Sequence, residues 1–586
     1  MELYEKKTWK RTEILRHLRE QIKEKKPILM GAAGIGLVAK MEANAGIDLI
    51  MTTSADRFRM DGQPSAVSYL ACRNANDVVV QNLPKIVRMT GNTPVVAGVA
   101  TGDPYRTPEE LVKLFVNMGA SGMINAPAAA AFGKKLDDDV RGSILNSEWD
   151  YYLIKLCRKM DIFSAAYVFD EENARMSAMQ GADLLVAHAG FTVGGHMGEP
   201  EEAARTMDEI ITFTQNITEV VHRENPDAIV LCHGGMLNTP ERVQECFTHT
   251  DVQGFLGCSA FDRLPIERAI SSTIEELCNL PLKDCHIFSE ENKGGLGMKY
   301  MEKASLKEKL KRKINNRRPV ILAGAGCGIV AREEEAAGAD IIVAYNTGIY
   351  RMDGHVSLVG YRYYSDGNED TLALGRILSN IVKYTPVIGG VCGEDPYRDM
   401  DLLLETMKKR GFSGVTNVPS IAGPIMKPGS IFSASANYYG YGIETELQMI
   451  KRCQQHEMFS AMYSYDRSHM QRMVAAGVDL ISVHVGGTAG GTTGALGEEV
   501  LTLERAIEIT QESYELAIRE NPDVIVVTHG GPFENPAAMK ECFAKSDIHG
   551  YIGASGIERI PTEKELEKTY DEYKKTEIKI VLSGMS

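Results

Sequence analysis

Short apolar runs alternate along the first half of the chain with longer segments whose apolar residues recur at helical spacing. This alternation is typical of βα units that build a parallel sheet. Eight units in about 270 residues match the size of a closed (β/α)8 barrel. The predicted strands are Pro27–Ala33, Asp48–Thr53, Pro94–Ala100, Gly122–Ala126, Phe163–Phe169, Leu184–His188, Ala228–His233 and Gly254–Ser259.

The second half repeats the same order of apolar runs. Its predicted strands are Pro319–Gly324, Asp340–Asn346, Pro386–Cys392, Gly414–Val418, Phe459–Tyr465, Leu480–His484, Val524–His529 and Gly550–Ser555. We therefore predict an α/β protein of two tandem (β/α)8 TIM barrels, with domains at residues 1–290 and 291–586.

Matching motifs show that the two halves are copies of one another. Arg59-Met-Asp-Gly62 returns as Arg351-Met-Asp-Gly354, and His233-Gly-Gly235 returns as His529-Gly-Gly531. The offset grows between these two pairs because the second copy has extra residues between Pro419 and Glu444. That stretch is rich in Gly, Pro and Ser, which predicts a loop.

Charge and cysteine content narrow the class of partner and the compartment. A net charge of −15 argues against binding nucleic acid or an anionic membrane, because such surfaces need clustered Lys and Arg. A small anionic metabolite is the expected partner.

The 11 cysteines lack a Cys-x-x-Cys pair, and no segment is apolar over the length of a membrane span. We expect a cytoplasmic protein.

Polar residues end several predicted strands in both copies. The active site of a (β/α)8 barrel lies at the C-terminal ends of its strands, so these side chains are expected to converge on one cavity in each barrel. They are Asp103, Asn125, His188, His233, Ser259 and Arg263 in the first copy, and Asp395, Asn417, His484, His529, Ser555 and Arg559 in the second.

The histidines and aspartates leave more than one chemistry open. An imidazole exchanges protons near neutral pH or ligates a divalent metal, and a histidine at a strand end can also be a hydrogen-bonded part of the pocket rim. Asp103 and Asp395 are candidate ligands of Mg²⁺ or Mn²⁺. Because both precede proline, they are also candidate turn starters.

Glycines follow strands seven and eight in both copies, as Gly234, Gly235 and Gly257, and as Gly530, Gly531 and Gly553. Their N–H groups could bind a phosphate or carboxylate together with Arg263 or Arg559, or the glycines could serve only tight βα turns. The glycines that follow strand one are not spaced as in the G-x-G-x-x-G motif of a dinucleotide-binding site. The glycine-rich loops that follow His188 and His484 are a mobile lid or a plain surface loop.

The ordered motifs resemble the phosphoenolpyruvate-hydrolase-like family of TIM-barrel signal-transduction proteins, which is related to the phosphoenolpyruvate mutase and isocitrate lyase barrels. The second copy resembles the family more closely. It carries Tyr345-Asn-Thr-Gly348, Asp395-Pro-Tyr-Arg398, Asn417-Val-Pro419, His529-Gly-Gly531 and Gly553-Ala-Ser-Gly-Ile-Glu-Arg559. Thr53-Ser-Ala-Asp56 replaces the first of these motifs in the first copy. A family carboxylate is matched by Glu446 and, in the first copy, by Asp150.

The resemblance implies a metal-assisted hydrolase or lyase that acts on a small phosphorylated or α-keto acid through an enolate-type intermediate. It implies Asp395 at the metal, Arg559, Gly530 and Ser555 at the substrate anion, and His484 or His529 as the group that moves a proton. The alternative is a non-catalytic TIM-barrel protein that senses a metabolite or binds a protein. An apolar outer face could pair the two barrels within one chain, and such a unit could assemble further into a homo-oligomer.

Overall fold

The computed structural model describes residues 8–140, 142–283, 301–420, 422–423, 438–495 and 500–578. These residues form two closed barrels of eight parallel strands, which confirms the predicted tandem TIM barrels. The chain divides into two compact units, residues 1–267 with 564–586 and residues 268–563. The predicted domain boundary between residues 290 and 291 lies outside the described residues.

In the first barrel, each predicted apolar run contains a strand. The strands, in order from β1 to β8, are Ile28–Ala32, Leu49–Thr52, Val95–Val99, Gly122–Asn125, Phe163–Val168, Leu184–His188, Ile229–His233 and Gly254–Gly257. Successive strands are neighbours, and β8 pairs with β1 to close the barrel. Strand residues are buried almost throughout, as expected for a parallel sheet covered by helices.

The second barrel repeats this order. Its strands, β9 to β16, are Val320–Ala325, Ile341–Ala344, Val387–Gly390, Phe412–Thr416, Phe459–Ser464, Leu480–His484, Ile525–His529 and Gly550–Gly553. Strand β16 pairs with β9 and closes the ring.

Helices follow the strands in both copies. The first set is Arg11–Lys23, Gly36–Asn44, Ser54–Met60, Ala75–Met89, Pro108–Asn117, Lys134–Asp139, Glu148–Lys159, Glu171–Met179, Met207–Glu224, Pro240–His249 and Arg263–Asn279, with short 3₁₀ helices at Ser65–Tyr69, Ala129–Phe132 and Glu201–Ala203. The second set is Lys303–Asn315, Gly328–Ala336, Asn346–Met352, Gly367–Ile381, Met400–Lys409, Ile443–Gln455, Arg467–Ala475, Leu503–Glu520, Pro536–Lys545 and Ile560–Tyr573, with a 3₁₀ helix at Ser357–Tyr361 and a π-helix at Ser555–Arg559. No helix of the described segments is long and apolar enough to cross a membrane.

A capping box sets the start of the helix after β6. The periodicity predicts one helix over residues 201–223, but the structure begins the long helix at Met207. The Thr206 side chain accepts from the Glu209 N–H, and the Glu209 carboxylate accepts from the Thr206 N–H at 2.8 Å. These two bonds satisfy N–H groups that a helix start leaves unpaired, so the helix begins here.

Aromatic side chains near the end of the chain complete the core of the first unit. The Tyr570 hydroxyl donates to the Phe261 carbonyl at 3.1 Å. The Tyr573 ring stacks on Phe255 of β8, with 5.5 Å between the ring centroids. Residues 564–578 are therefore part of the same packed core as β8.

Candidate active site

The histidines that end β6 and β7 lie side by side in the first barrel. His188 and His233 are partners in the strand register, and their ring centroids are 4.8 Å apart. The His233 Nδ1 lies 2.8 Å from the Leu256 carbonyl and therefore donates to it. The Gly190 N–H donates to His188 Nδ1 at 3.2 Å, which places the proton of a neutral His188 on Nε2. His188 therefore keeps an Nε2–H that can donate to a ligand, and His233 keeps an Nε2 lone pair that can accept.

The second barrel reproduces this pair. His484 and His529 are register partners with ring centroids 4.9 Å apart. The His529 Nδ1 donates to the Ile552 carbonyl at 2.7 Å, and the Gly486 N–H donates to His484 Nδ1 at 3.1 Å. In each copy, two hydrogen bonds thus leave one histidine as an N–H donor and the other as an acceptor.

Burial keeps both rings of each pair neutral. It lowers the pKa of His233 and of His529 to about 4, because an imidazolium loses its hydration inside the barrel. Burial and the neighbouring histidine hold the pKa of His188 and of His484 well below the usual value. The pairs are therefore uncharged at neutral pH, and each offers a bound molecule one N–H donor and one lone pair.

A small cavity lies beside His188 and His233 in the first barrel. Its volume of about 50 Å³ is room for roughly four waters. Thr53, Arg59, Tyr69 and Ser259 also line it. A site of this size fits the head group of a small metabolite. Arg59 was not singled out as a site residue in the sequence, although its Arg-Met-Asp-Gly motif occurs in both copies.

Carboxylates surround Arg59. Its Nη2 donates to Asp262 at 2.6 Å and to Asp56 at 2.7 Å, and its Nε also donates to Asp262. Burial raises the pKa of Asp262 to about 6 and raises that of Asp56. Burial raises the pKa of Glu42, whose charge would also face Asp262, well above its usual value. The first copy therefore balances one arginine with two aspartates and a third acid close by.

The corresponding cluster of the second barrel has fewer acids. The Arg351 Nε donates to Glu558 at 2.6 Å, and its Nη2 donates to the Tyr345 hydroxyl at 3.1 Å. Gly348 stands where the first copy has Asp56. Burial and the charge of Glu558 raise the pKa of the nearby Glu334, which favours its neutral form. Two acids thus lie near Arg351 where three lie near Arg59, because Gly348 replaces Asp56.

The asparagines predicted from strand four hold buried acids. Asn125 donates to Asp150 at 3.4 Å, and Asn417 donates to Glu446 at 2.8 Å. The Ser420 hydroxyl also donates to Glu446, at 2.6 Å. Burial raises the pKa of Asp150 to about 6 and that of Glu446 to about 8. Because each asparagine also bonds the next strand, its amide is engaged by protein groups.

The predicted anion-binding glycines mainly permit close packing. The Gly235 N–H donates to the Gly190 carbonyl at 3.1 Å, and the Gly531 N–H donates to the Gly486 carbonyl at 2.9 Å. A Cβ on Gly234 or Gly530 would lie 2.0 or 2.1 Å from these same carbonyl oxygens. Both glycines have φ of +84°. These contacts show a packing role for the glycines, and anion binding by them stays a prediction.

The glycines after strand eight have a similar packing role. A Cβ on Gly257 would lie 2.4 Å from the Phe261 ring, and one on Gly553 would lie 2.3 Å from Ile557. Of the serines that follow, Ser259 lines the cavity of the first barrel and Ser555 begins the π-helix of the second. Anion binding by these groups stays a prediction.

The predicted anion-binding arginines form buried ion pairs. Arg263 Nη1 donates to Glu267 at 2.9 Å, and Arg559 Nη1 donates to Glu563 at 3.2 Å. The Glu267 carboxylate also accepts from the His196 N–H at 3.0 Å. The glycine-rich loop after β6 is therefore held by these side chains rather than being a free surface loop.

The predicted metal ligands are engaged by neighbouring donors. Asp103 accepts from Asn76, from the Tyr105 N–H and twice from Arg106, at 2.7 to 3.0 Å. Asp395 accepts from the corresponding three residues at 2.9 to 3.1 Å. No group of three His, Cys, Asp or Glu side chains in the described segments could hold a metal ion. The described donors therefore do not fit a metal centre, and metal binding stays a prediction of the sequence.

Sequence relatives cover part of this chain. The ToMV susceptible protein tm-1(GCR26) and the ToMV resistance protein Tm-1(GCR237) of Solanum lycopersicum are each 34% identical over 275 residues, which is 47% of this chain and 36% of theirs. A transcriptional regulatory protein y4pA of Sinorhizobium fredii is 31% identical over 261 residues, 44% of this chain and 42% of its own. The chain thus spans well under half of the length of these relatives.

Two solved structures that match part of this chain share little sequence with it. Oxaloacetate acetylhydrolase in complex with the product oxalate is 18% identical, with 46% of this chain and 87% of that chain covered and a TM-score of 0.32. Phosphoenolpyruvate phosphomutase from Streptomyces platensis subsp. rosaceus is 15% identical, with 45% and 86% covered and a TM-score of 0.32.

The sequence profile described as phosphoenolpyruvate hydrolase-like matches the chain twice, over residues 13–280 and 305–576. The two matches contain the two barrels and together cover most of the chain. This finding confirms the tandem duplication. The chain therefore belongs to the phosphoenolpyruvate hydrolase-like family.

Proposed function

We propose that the second barrel is the catalytic site of a hydrolase or lyase that acts on a small phosphorylated or α-keto acid through an enolate-type intermediate. The observation that carries this proposal is the opposite hydrogen bonding of His484 and His529. Their Nδ1 atoms are fixed by Gly486 and Ile552, which leaves an N–H on one ring and a lone pair on the other. Enolisation needs one proton acceptor and one donor close together.

The proposed proton transfer uses only these two rings. His529 Nε2 takes the proton from the carbon next to the substrate carbonyl. The C–H electron pair becomes the new C=C bond, and the carbonyl oxygen becomes the enolate oxygen. The His484 Nε2–H donates to that oxygen as its charge develops. The low pKa of His529 keeps its lone pair available at neutral pH.

The charge balance around Arg351 favours the second barrel for an anionic substrate. Gly348 stands in place of Asp56, so one fewer acid faces the arginine of the second copy, while Glu334 and its first-copy counterpart Glu42 both have a raised pKa. A substrate carboxylate would therefore meet less repulsion here than beside Arg59. A divalent metal is absent from the proposed steps, because the described side chains do not form a ligand group for it.

The test is exchange of the pyruvate methyl protons for deuterium, followed by ¹H NMR in D₂O. We expect the parent protein to exchange them and His529→Gln to slow exchange about 100-fold or more, because a general base contributes about 10²–10⁴-fold. His233→Gln is the matched control in the first barrel and should leave the exchange unchanged.

Exchange that persists in His529→Gln would contradict the proposed base. A second outcome separates the alternative function. If pyruvate, oxaloacetate and phosphoenolpyruvate raise the melting temperature but none is exchanged or consumed, the barrel binds metabolites without turnover. That result would favour the non-catalytic, metabolite-sensing protein.

A further inference from the structure

A second, larger cavity lies on the first barrel, next to the one that contains the histidine pair. Its volume is about 460 Å³, within the range of small-molecule sites. Tyr69, His188 and Phe191 line both cavities. These side chains therefore form the wall between the smaller, inner cavity and the larger, outer cavity. A ligand in the outer cavity can contact His188.

The outer cavity has an aromatic and alanine-rich lining. Phe132, Phe169 and Phe191 contribute rings, and Phe132 is 56% exposed. A large ring that faces solvent within a concave surface gains free energy when another apolar group covers it. The lining thus fits an aryl or short acyl group better than a second polar metabolite.

Arg205 gives this cavity a positive charge. It lines the cavity, and its guanidinium lies over the Phe213 ring at 4.4 Å. This contact limits the conformations of a long side chain, so less entropy is lost when the guanidinium binds a carboxylate. Glu199 lines the same cavity and disfavours a ligand with more than one negative charge.

The second copy has different residues at these positions. Gly487 stands in place of Phe191, Leu501 in place of Arg205, and Tyr465 in place of Phe169. The Tyr465 hydroxyl lies 3.4 Å from the Tyr361 hydroxyl, so the second copy has a polar contact where the first copy has the apolar Phe169 ring. Among the described residues, the second copy therefore lacks the ring of Phe191 and the charge of Arg205 at the matching positions, although the histidine pair is common to both.

We propose that the outer cavity of the first barrel binds a monoanionic organic acid with an aryl or short acyl group. The apolar group packs on Phe132, Phe169 and Phe191, the carboxylate pairs with Arg205, and the ligand reaches His188 through the shared wall. This site is separate from the proposed catalysis in the second barrel, and it gives the two copies different ligands.

The experiment measures the affinity of 3-phenylpropionate for the full chain by isothermal titration calorimetry. Phe191→Gly and Arg205→Leu each introduce the residue of the second copy. We expect each to weaken binding about tenfold, because the first removes an apolar contact with the ligand ring and the second removes the ion pair with the ligand carboxylate. Propionate and 3-phenylpropanol, which lack the ring and the charge respectively, should bind more weakly than 3-phenylpropionate.

Arg505→Leu is the matched control, because it removes an exposed arginine of the second copy and should leave the affinity unchanged. Melting temperatures close to that of the parent show that the variants are folded. The proposal is overturned if the parent does not bind 3-phenylpropionate, or if both first-copy variants bind it as the parent does. Neither result affects deuterium exchange by the second barrel, so failure of one proposal is distinguishable from failure of the other.

Discussion

Glu446 is a buried acid that we expect to be protonated at neutral pH, and Glu446→Gln tests this directly. Glutamine has the shape of the protonated acid. Its amide oxygen can accept from Asn417 as Glu446 does at 2.8 Å, and its NH₂ can donate to the Ser420 hydroxyl. The substitution therefore keeps the packing and removes only the titration.

The magnitude follows from the pKa of Glu446, which burial raises from 4.5 to about 8. One pKa unit corresponds to about 1.4 kcal/mol, so ionising Glu446 in the folded protein costs about 5 kcal/mol. Because the folded state binds this proton more tightly than the unfolded state, the free energy of unfolding falls as pH rises above 4.5. The full loss is reached above pH 8, and between pH 6 and 8 it amounts to about 2 kcal/mol, because half of the folded molecules are already ionised at pH 8.

Urea denaturation followed by far-UV circular dichroism at pH 6, 7 and 8 measures this effect. The free energy of unfolding of Glu446→Gln should rise relative to the parent by about 2 kcal/mol from pH 6 to pH 8. Glu508→Gln, at an exposed ion pair with Arg505, is the control and should follow the parent at every pH. A constant difference between Glu446→Gln and the parent would refute the proposed protonation.

Three further predictions concern the second barrel. Glu558→Gln leaves a buried arginine without its carboxylate and should lower the free energy of unfolding by about 3–5 kcal/mol in urea titrations, against less than about 1 kcal/mol for the exposed Glu508→Gln. Gly530→Ala should lower the melting temperature more than Gly338→Ala, because both have positive φ but only the first added Cβ meets a carbonyl oxygen; equal losses would contradict the packing role. The His529 ring should show no NMR titration between pH 5.5 and 8, since burial lowers its pKa to about 4. The contribution of neutral His529 to the free energy of unfolding is lost only as pH falls from about 6.5 through 4.

The architecture could be predicted from the sequence because it depends on a local pattern repeated many times. Every predicted apolar run overlaps a strand, although the strand Phe412–Thr416 begins two residues before its predicted run, and the strands pair in chain order. Short βα connections favour neighbouring strands, so order along the chain becomes order around the barrel. The same rule places His188 beside His233, since parallel neighbours end at the same edge.

Tertiary structure alone decided what the site residues contact. Arg59 pairs with Asp262, 203 residues further along the chain, and no local spacing connects the two. The Gly235 N–H, a candidate anion donor in the sequence, is taken by the Gly190 carbonyl. The sequence by itself determined the two barrels, their strand order and the edge where polar side chains gather. Which donor meets which acceptor at that edge depends on distances of a few tenths of an ångström, which only the packing of the whole barrel sets.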